Sequence, residues 1–415
     1  MPMPPSSSPR LLIAHPWMGR GGSEAVALWS LEALQDFGQV SLITASEVDW
    51  DDLNRVYGTQ VDPGKITLRR VPTLPLVTRG DQFVAWQRAL FERHCRAVSD
   101  RFDLCISAYN PIDFGRPGLQ LIGDFSFSER ARILLYPNAE DRFCHRQSPL
   151  RRLYLSVEEH LRGWRQPPIA ERGDCAVANS LWTAERLERL FGLTAPPVLY
   201  PPSPLPPGPF GEETGRDPLG FVVLGRISPE KELERVIGIL DRVRDQGFPV
   251  TLDIAGEFKK DAYSRRILRL AETRKEWIRT PGFLKPDQKA ALFASRNFAI
   301  HACRVEAFGI AVAEMSASGL IPLVPSDGAT RETVQLPELI YSSGSDAVKK
   351  VISLLETPHR HAELRQRLSK QAEQFQPSAF MAGLRQLVTR SLEPESQTMG
   401  QPKPPRQSHV AAHSA

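Results

Sequence analysis

The residues best suited to chemistry lie in two short segments of the second half of the chain. Gly225-Arg226-Ile227-Ser228-Pro229-Glu230-Lys231 follows the apolar run Phe221 to Leu224 and precedes a helical pattern. Two cations on one strand-to-helix turn can converge on a diphosphate and neutralise it without a metal. The same turn also suits plain solvation, with its Arg and Lys paired to Glu230, Glu232 or Glu234. The second segment is His301-Ala302-Cys303-Arg304-Val305-Glu306-Ala307-Phe308-Gly309-Ile310, which ends a strand and runs into a helix holding Glu314. At the carboxyl end of a parallel strand, backbone N–H groups at a helix start can bind phosphate, and Gly309 permits close approach. Glu306 and Glu314 can accept hydrogen bonds from sugar or ribose hydroxyls. On spacing alone a surface loop carboxylate and a solvated helix face are the better fit.

Near the N-terminus, Trp17-Met18-Gly19-Arg20-Gly21-Gly22-Ser23-Glu24 follows the first apolar run and opens a helix. Such glycines let a backbone approach phosphate or another ligand closely. A dinucleotide site would need a third glycine where Glu24 stands, so NAD binding is the weaker reading. Simple closure of a β/α turn requires glycine too.

These segments need a scaffold, and the apolar pattern supplies one. Leu11 to His15 and Val40 to Ala45 bracket a helical stretch from Ser23 to Phe37. Short runs at Leu104 to Ser107, Gln120 to Ile122, Ile133 to Tyr136 and Cys175 to Ala178 then alternate with amphipathic stretches. That rhythm predicts an α/β fold with a parallel sheet. The proline-rich stretch from Tyr200 to Asp217 can continue neither helix nor central strand. After it the rhythm restarts with Phe221 to Leu224, Thr251 to Ala255, Phe298 to His301 and Ile321 to Val324. Two Rossmann-like, doubly wound domains facing a cleft are expected.

A chain of 415 residues, 41% hydrophobic and 24% charged, is long enough for two packed domains. Its net charge of +4 is too small to argue for nucleic acid. The five cysteines are scattered without a C-x-x-C pair and support neither a disulfide framework nor a zinc site. The absence of a signal-peptide core or membrane span predicts a cytoplasmic protein, with the cytoplasmic face of a membrane as a further setting. The basic stretch Arg142 to Arg165 interleaves Arg146, Arg151, Arg152 and Arg162 with Leu153, Tyr154, Leu155 and Trp164. It could bind anionic headgroups, although Glu158 and Glu159 also suit an ordinary solvated helix.

Taken together, the C-terminal segments resemble glycosyltransferase family 4, over roughly Phe221 to Val324 and beyond. Gly225-Arg226 through Lys231 is similar to the family's G-R-x-x-x-x-K motif, and Glu306 through Glu314 to its E-x7-E motif. Leu252-Asp253-Ile254-Ala255-Gly256 and Pro281-Gly282-Phe283 occupy matching strand ends, and Trp17 through Glu24 resembles the family's glycine-rich loop. Asn179-Ser180-Leu181-Trp182-Thr183 resembles its N-S-x-x-T segment, which reads as a helix cap. One departure is Glu232, where the family has glycine. Another is Asp124, in Leu121-Ile122-Gly123-Asp124-Phe125-Ser126, where many relatives carry a histidine; an Asp beside Gly is also an ordinary turn residue. A weak lean within the family is toward the lipid-linked-oligosaccharide mannosyltransferases.

The resemblance implies a GT-B enzyme that is retaining and metal-independent, with no tightly bound cofactor. Its substrates would be a GDP- or UDP-sugar and a glycan, lipid-linked or small-molecule acceptor. It implies Arg226, Lys231 and Glu306 as catalytic residues. Gly21, Gly22, Gly225, Gly256, Phe283, Phe308, Gly309, Ile310 and Glu314 would bind the donor, and Asp124 and Glu24 would face the acceptor. The expected division is a flexible start at 1–10, an acceptor domain at 11–200 and a linker at 201–217. A donor domain follows at 218–375, then a helix at 376–392 that crosses back and a disordered tail at 393–415. A catalytically silent nucleotide- or partner-binding protein is the alternative.

Overall fold

The computed structural model describes residues 8–72, 83–135, 148–203 and 215–393. Terminal segments 1–7 and 394–415, and residues 204–214 of the expected linker, lie outside the described residues, as do Arg142 and Arg146.

Alternating apolar runs and amphipathic helices produce two parallel sheets. The first is built from β1 (Arg10–Ala14), β2 (Gln39–Thr44), β3 (Ile66–Arg70), β4 (Leu104–Ser107), β5 (Leu119–Ile122) and β6 (Cys175–Ala178). Their order is β3-β2-β1-β4-β5-β6. The second contains β7 (Asp217–Leu224), β8 (Thr251–Ala255), β9 (Ile278–Gly282), β10 (Arg296–Ile300), β11 (Ile321–Pro325) and β12 (Ile340–Tyr341), in the order β12-β11-β10-β7-β8-β9. Each sheet therefore reverses its winding beside its own first strand, between β1 and β4 and between β7 and β10. In open α/β sheets that is where the strand ends leave a crevice for ligands. Helices cover both faces, and runs such as Ile321–Pro325 are buried throughout.

Each sheet has its own apolar core. The last helix, Pro377–Leu392, places Phe380, Leu384 and Val388 in the core of the first sheet. There the Arg385 Nε donates to the Ala33 carbonyl at 2.7 Å, on the helix Gly22–Leu34. The chain thus crosses between the domains twice. The two crossings touch where Ser203 N–H donates to the Phe375 carbonyl at 2.8 Å and Tyr200 packs edge-on against Phe375.

One expected run is corrected. Ile133 to Leu135 belongs to a helix, Glu129–Leu135, rather than a strand. Ser128 Oγ accepts from Ala131 N–H at its start, and Arg132 and Arg151 both grip Glu129 (2.6 and 2.7 Å). Local capping and pairing outweigh a short apolar run. Among the described residues no helix is long and apolar enough to cross a membrane.

Candidate active site

The ends of β7, β8 and β9 are laced together by backbone. Gly225 N–H donates to the Ala255 carbonyl (3.1 Å), and Gly256 N–H donates to that of Gly282 (2.9 Å). A Cβ on Gly256 would lie 2.0 Å from the Gly225 carbonyl oxygen, so only glycine fits there. From this platform Arg226 projects outward with its side chain 79% exposed and one guanidinium nitrogen 3.8 Å from Glu230. The turn Pro229–Lys231 then folds Lys231 inward, toward the end of β10.

There the Lys231 Nζ donates to Glu306 Oε2 at 2.5 Å. Burial disfavours both charges, yet Lys231 stays above its usual pKa because Glu306 attracts it. Glu306 in turn falls far below the carboxylate range, with Lys231 and His301 beside it. The pair is ionised at neutral pH. Cys303 is buried nearby, and burial pushes its thiol up to about 12. The residue after Lys231 explains the departure noted above. Glu232 takes the left-handed conformation (φ 48°, ψ 44°) that glycine adopts without strain. It is held there by Arg304 Nε at 2.8 Å and Arg235 at 3.2 Å.

Gly309, also left-handed at φ 91°, precedes the helix Ile310–Ala317, and no side chain caps the first turn. A Cβ on Gly309 would meet Thr330 at 2.6 Å. Glu314 Oε2, one turn in, accepts from Lys289 Nζ at 3.0 Å. The Phe308 ring is turned away, buried against Tyr200 and Phe375, so only its backbone can serve a ligand. Phe283, at the end of β9, is exposed, and the Arg20 guanidinium sits 5.7 Å from its ring centroid across the cleft.

The glycine-rich loop forms the facing wall. Gly22 packs so closely on Ile310 that a Cβ there would lie 3.0 Å from Ile310 Cδ1. Gly21 N–H is occupied, donating to the Tyr57 hydroxyl at 2.7 Å, and Glu24 folds back over Gly21. Burial, Glu24 and, from the other domain, Glu314 raise the Tyr57 pKa. Asp124 is tied into a turn, accepting from Asn110 Nδ2 (2.7 Å) and from the Ser126 N–H (2.8 Å) and hydroxyl (2.6 Å). Beside it Tyr109 packs edge-on against the buried His15 ring. Burial drives His15 down to about 3 and raises Tyr109 to about 12.

Sequence reasoning missed Tyr57, Lys289 and His15, because no local pattern marks them. The N-S-x-x-T segment does more than cap. Ser180 Oγ accepts from Thr183 N–H (3.0 Å) and also donates to the Ala307 carbonyl (2.6 Å), next to Glu306. Glu332 accepts from Leu181 and Trp182 N–H at 2.8 and 2.7 Å, capping an N-terminal helix from the C-terminal domain. In the basic stretch, Arg151 is paired to Glu129 and Arg162 lies between Glu92 and Glu158. Those cations are committed to carboxylates rather than presented to a surface.

Residues 211–375 match the family described as glycosyl transferases group 1. In shape the chain is similar to HepE of Anabaena, solved with UDP and glucose, at 14% identity and a TM-score of 0.65 over 92% of this chain and 99% of that one. Sucrose-phosphate synthase from Thermosynechococcus elongatus matches at 15% identity and 0.68, over 92% and 98%. The pneumococcal O-GlcNAc transferase GtfA, solved with UDP and GlcNAc, matches at 12% and 0.61, over 93% and 99%. At these identities the likeness establishes the fold, which is GT-B. No curated protein matches the chain by sequence.

Proposed function

Since residues 211–375 are a glycosyl transferases group 1 domain in a chain of GT-B fold, we propose that the protein moves a hexose from a nucleoside-diphosphate sugar to a hydroxyl acceptor, with retention of anomeric configuration. The observation that supports this is the Lys231–Glu306 ion pair next to the left-handed Gly309 that opens the helix holding Glu314, with the exposed Arg226 on the same turn as Lys231. Division of labour follows the chain: 11–200 for the acceptor, 218–375 for the donor. UDP is the favoured base, since HepE and GtfA were solved with it, and GDP is the alternative.

In this reading the two cations take up the charge that develops on the departing diphosphate, the largest electrostatic demand of the step. They fill the place a metal would otherwise hold. Glu306 orients the donor sugar, Glu314 the ribose, and backbone N–H groups at Phe308 and Gly309 the phosphates. The glycosidic C–O bond breaks as the acceptor oxygen attacks from the same face, and the leaving phosphate oxygen takes the acceptor's proton. No protein nucleophile is required, unlike the paired carboxylates of glycosidases. Asp124, Glu24 and Tyr109 line the acceptor wall, where a glycan or lipid-linked hydroxyl would be oriented, and cleft closure excludes water that would compete.

The test is thermal-shift titration with UDP, GDP, ADP and NAD without added metal, repeated on Arg226→Ala and Glu314→Ala. One nucleoside diphosphate should raise the melting temperature of the wild type and lose that effect in both variants. A shift with NAD untouched by either substitution would sink the reading.

A further inference from the structure

We propose that His301, Cys303 and Glu306 form a site for a divalent ion of the zinc class, and that this ion competes with Lys231 for Glu306. One ligand atom from each of the three residues lies within 4.8 Å of the other two. His301 Nε2 lies 3.2 Å from Glu306 Oε2, so two of the three candidate ligands already face one another. His301 and Cys303 are only 5% and 2% exposed. One nitrogen, one sulfur and one carboxylate oxygen suit zinc or cobalt rather than magnesium or calcium, and three protein ligands leave a fourth position open.

The local fold explains why the three meet. All three lie on the short segment that leaves the end of β10, His301 directly after the strand and Glu306 past the turn at Arg304 and Val305. The main chain at His301 is fixed at both ends, its N–H donating to the Leu323 carbonyl (2.9 Å) and its carbonyl accepting from the Tyr341 hydroxyl (2.5 Å). Only the ring needs to turn for Nε2 to meet an ion. Glu306 already holds one cation, the Lys231 ammonium at 2.5 Å. A second cation drawn to the Oε2 that faces His301 competes with the ammonium for that oxygen. Binding converts the Cys303 thiol to thiolate and releases its proton to solvent, so affinity rises with pH. Occupancy would take Lys231 out of the cleft arrangement and switch the site off. The inference concerns binding and stands apart from the reaction proposed above.

Titration of the chelator-treated full chain with cobalt(II), a coloured stand-in for zinc, tests it directly. Wild type should develop a thiolate-to-cobalt charge-transfer band saturating at one ion per chain, and Cys303→Ser should lack it while keeping its circular dichroism. His301→Gln should weaken binding at least about tenfold, since outer-shell changes alone can cost that much. Lys231→Gln, which removes the competing charge, should bind about tenfold more tightly. The proposal is overturned if wild type shows no band, if Cys303→Ser shows the same band, or, should that variant misfold, if His301→Gln binds like wild type. Equal or weaker binding by Lys231→Gln overturns the competition.

Discussion

The Ser180 hydroxyl donates to the Ala307 carbonyl at 2.6 Å, pinning the first domain's helix Leu181–Phe191 to the loop that carries Glu306. Thr183 Oγ1 reaches the same carbonyl at 3.3 Å, and Glu332 returns the contact by capping that helix. The position of Glu306 is therefore set by both domains.

Ser180→Ala removes a helix cap and a buried hydrogen bond together. Unfolding in urea should show a loss of about 1–2 kcal/mol. Weaker binding of the nucleoside diphosphate should accompany it, because the loop carrying Glu306 and Gly309 loses its outside anchor. Thr183→Val, which removes only the longer contact, should do less. Wild-type diphosphate affinity in Ser180→Ala would show that the contact is merely structural.

The Lys231–Glu306 pair sits with both side chains 19% exposed, so neither charge is well hydrated. Lys231→Met should cost about 3 kcal/mol in chemical denaturation, because it strands a mostly buried carboxylate. Removing both charges in Lys231→Met/Glu306→Leu should cost less than the single change. Additive losses would mean that the two groups do not stabilise one another.

His15 predicts an early acid transition. Its folded pKa is depressed to about 3, against about 6.5 in an unfolded chain. Below pH 6.5 the unfolded chain binds a proton that the folded one refuses. The stability this supplies is thus present above that pH and is lost as pH falls toward 3, at up to about 1.4 kcal/mol per unit. Denaturation midpoints of wild type should fall between pH 6.5 and 5, before most carboxylates titrate, while those of His15→Leu stay flatter. Parallel profiles would show that folded His15 takes up its proton as readily as the unfolded chain does, and that burial does not depress it.

The α/β alternation was legible because central parallel strands are continuous apolar runs, as in Leu11 to Ala14 and Ile321 to Val324. Strand β3 was not, because it lies at the sheet's edge with only Ile66 fully buried. The segments holding Arg226, Lys231, Glu306 and Glu314 stood out through their resemblance to a family pattern, since type and spacing alone fit a solvated turn and helix face as readily. Their partners did not stand out. Lys289 meets Glu314, and Tyr57 meets Gly21, only after the chain has folded. Ser180 shows the same division: its cap to Thr183 is three residues long and visible in sequence, whereas Ala307 lies 127 positions away.

Gly256 and Gly238 should respond oppositely to the same substitution. Alanine at Gly256 places a Cβ 2.0 Å from the Gly225 carbonyl oxygen and 3.1 Å from Ile227 Cδ1, and a backbone atom cannot swing aside as a side chain can. The Gly225-Arg226 turn must move. A loss of about 1–3 kcal/mol is expected, together with weaker diphosphate binding because Arg226 leaves its position. Gly238 lies within the helix Leu233–Asp245, and nothing stands within 4 Å of a Cβ there. Alanine at that position should instead stabilise by about 1 kcal/mol through helix propensity, with binding unchanged. Melting curves with and without the diphosphate separate the two effects. If Gly256→Ala melts and binds like wild type, the strand-end platform yields without cost and is not what aims Arg226.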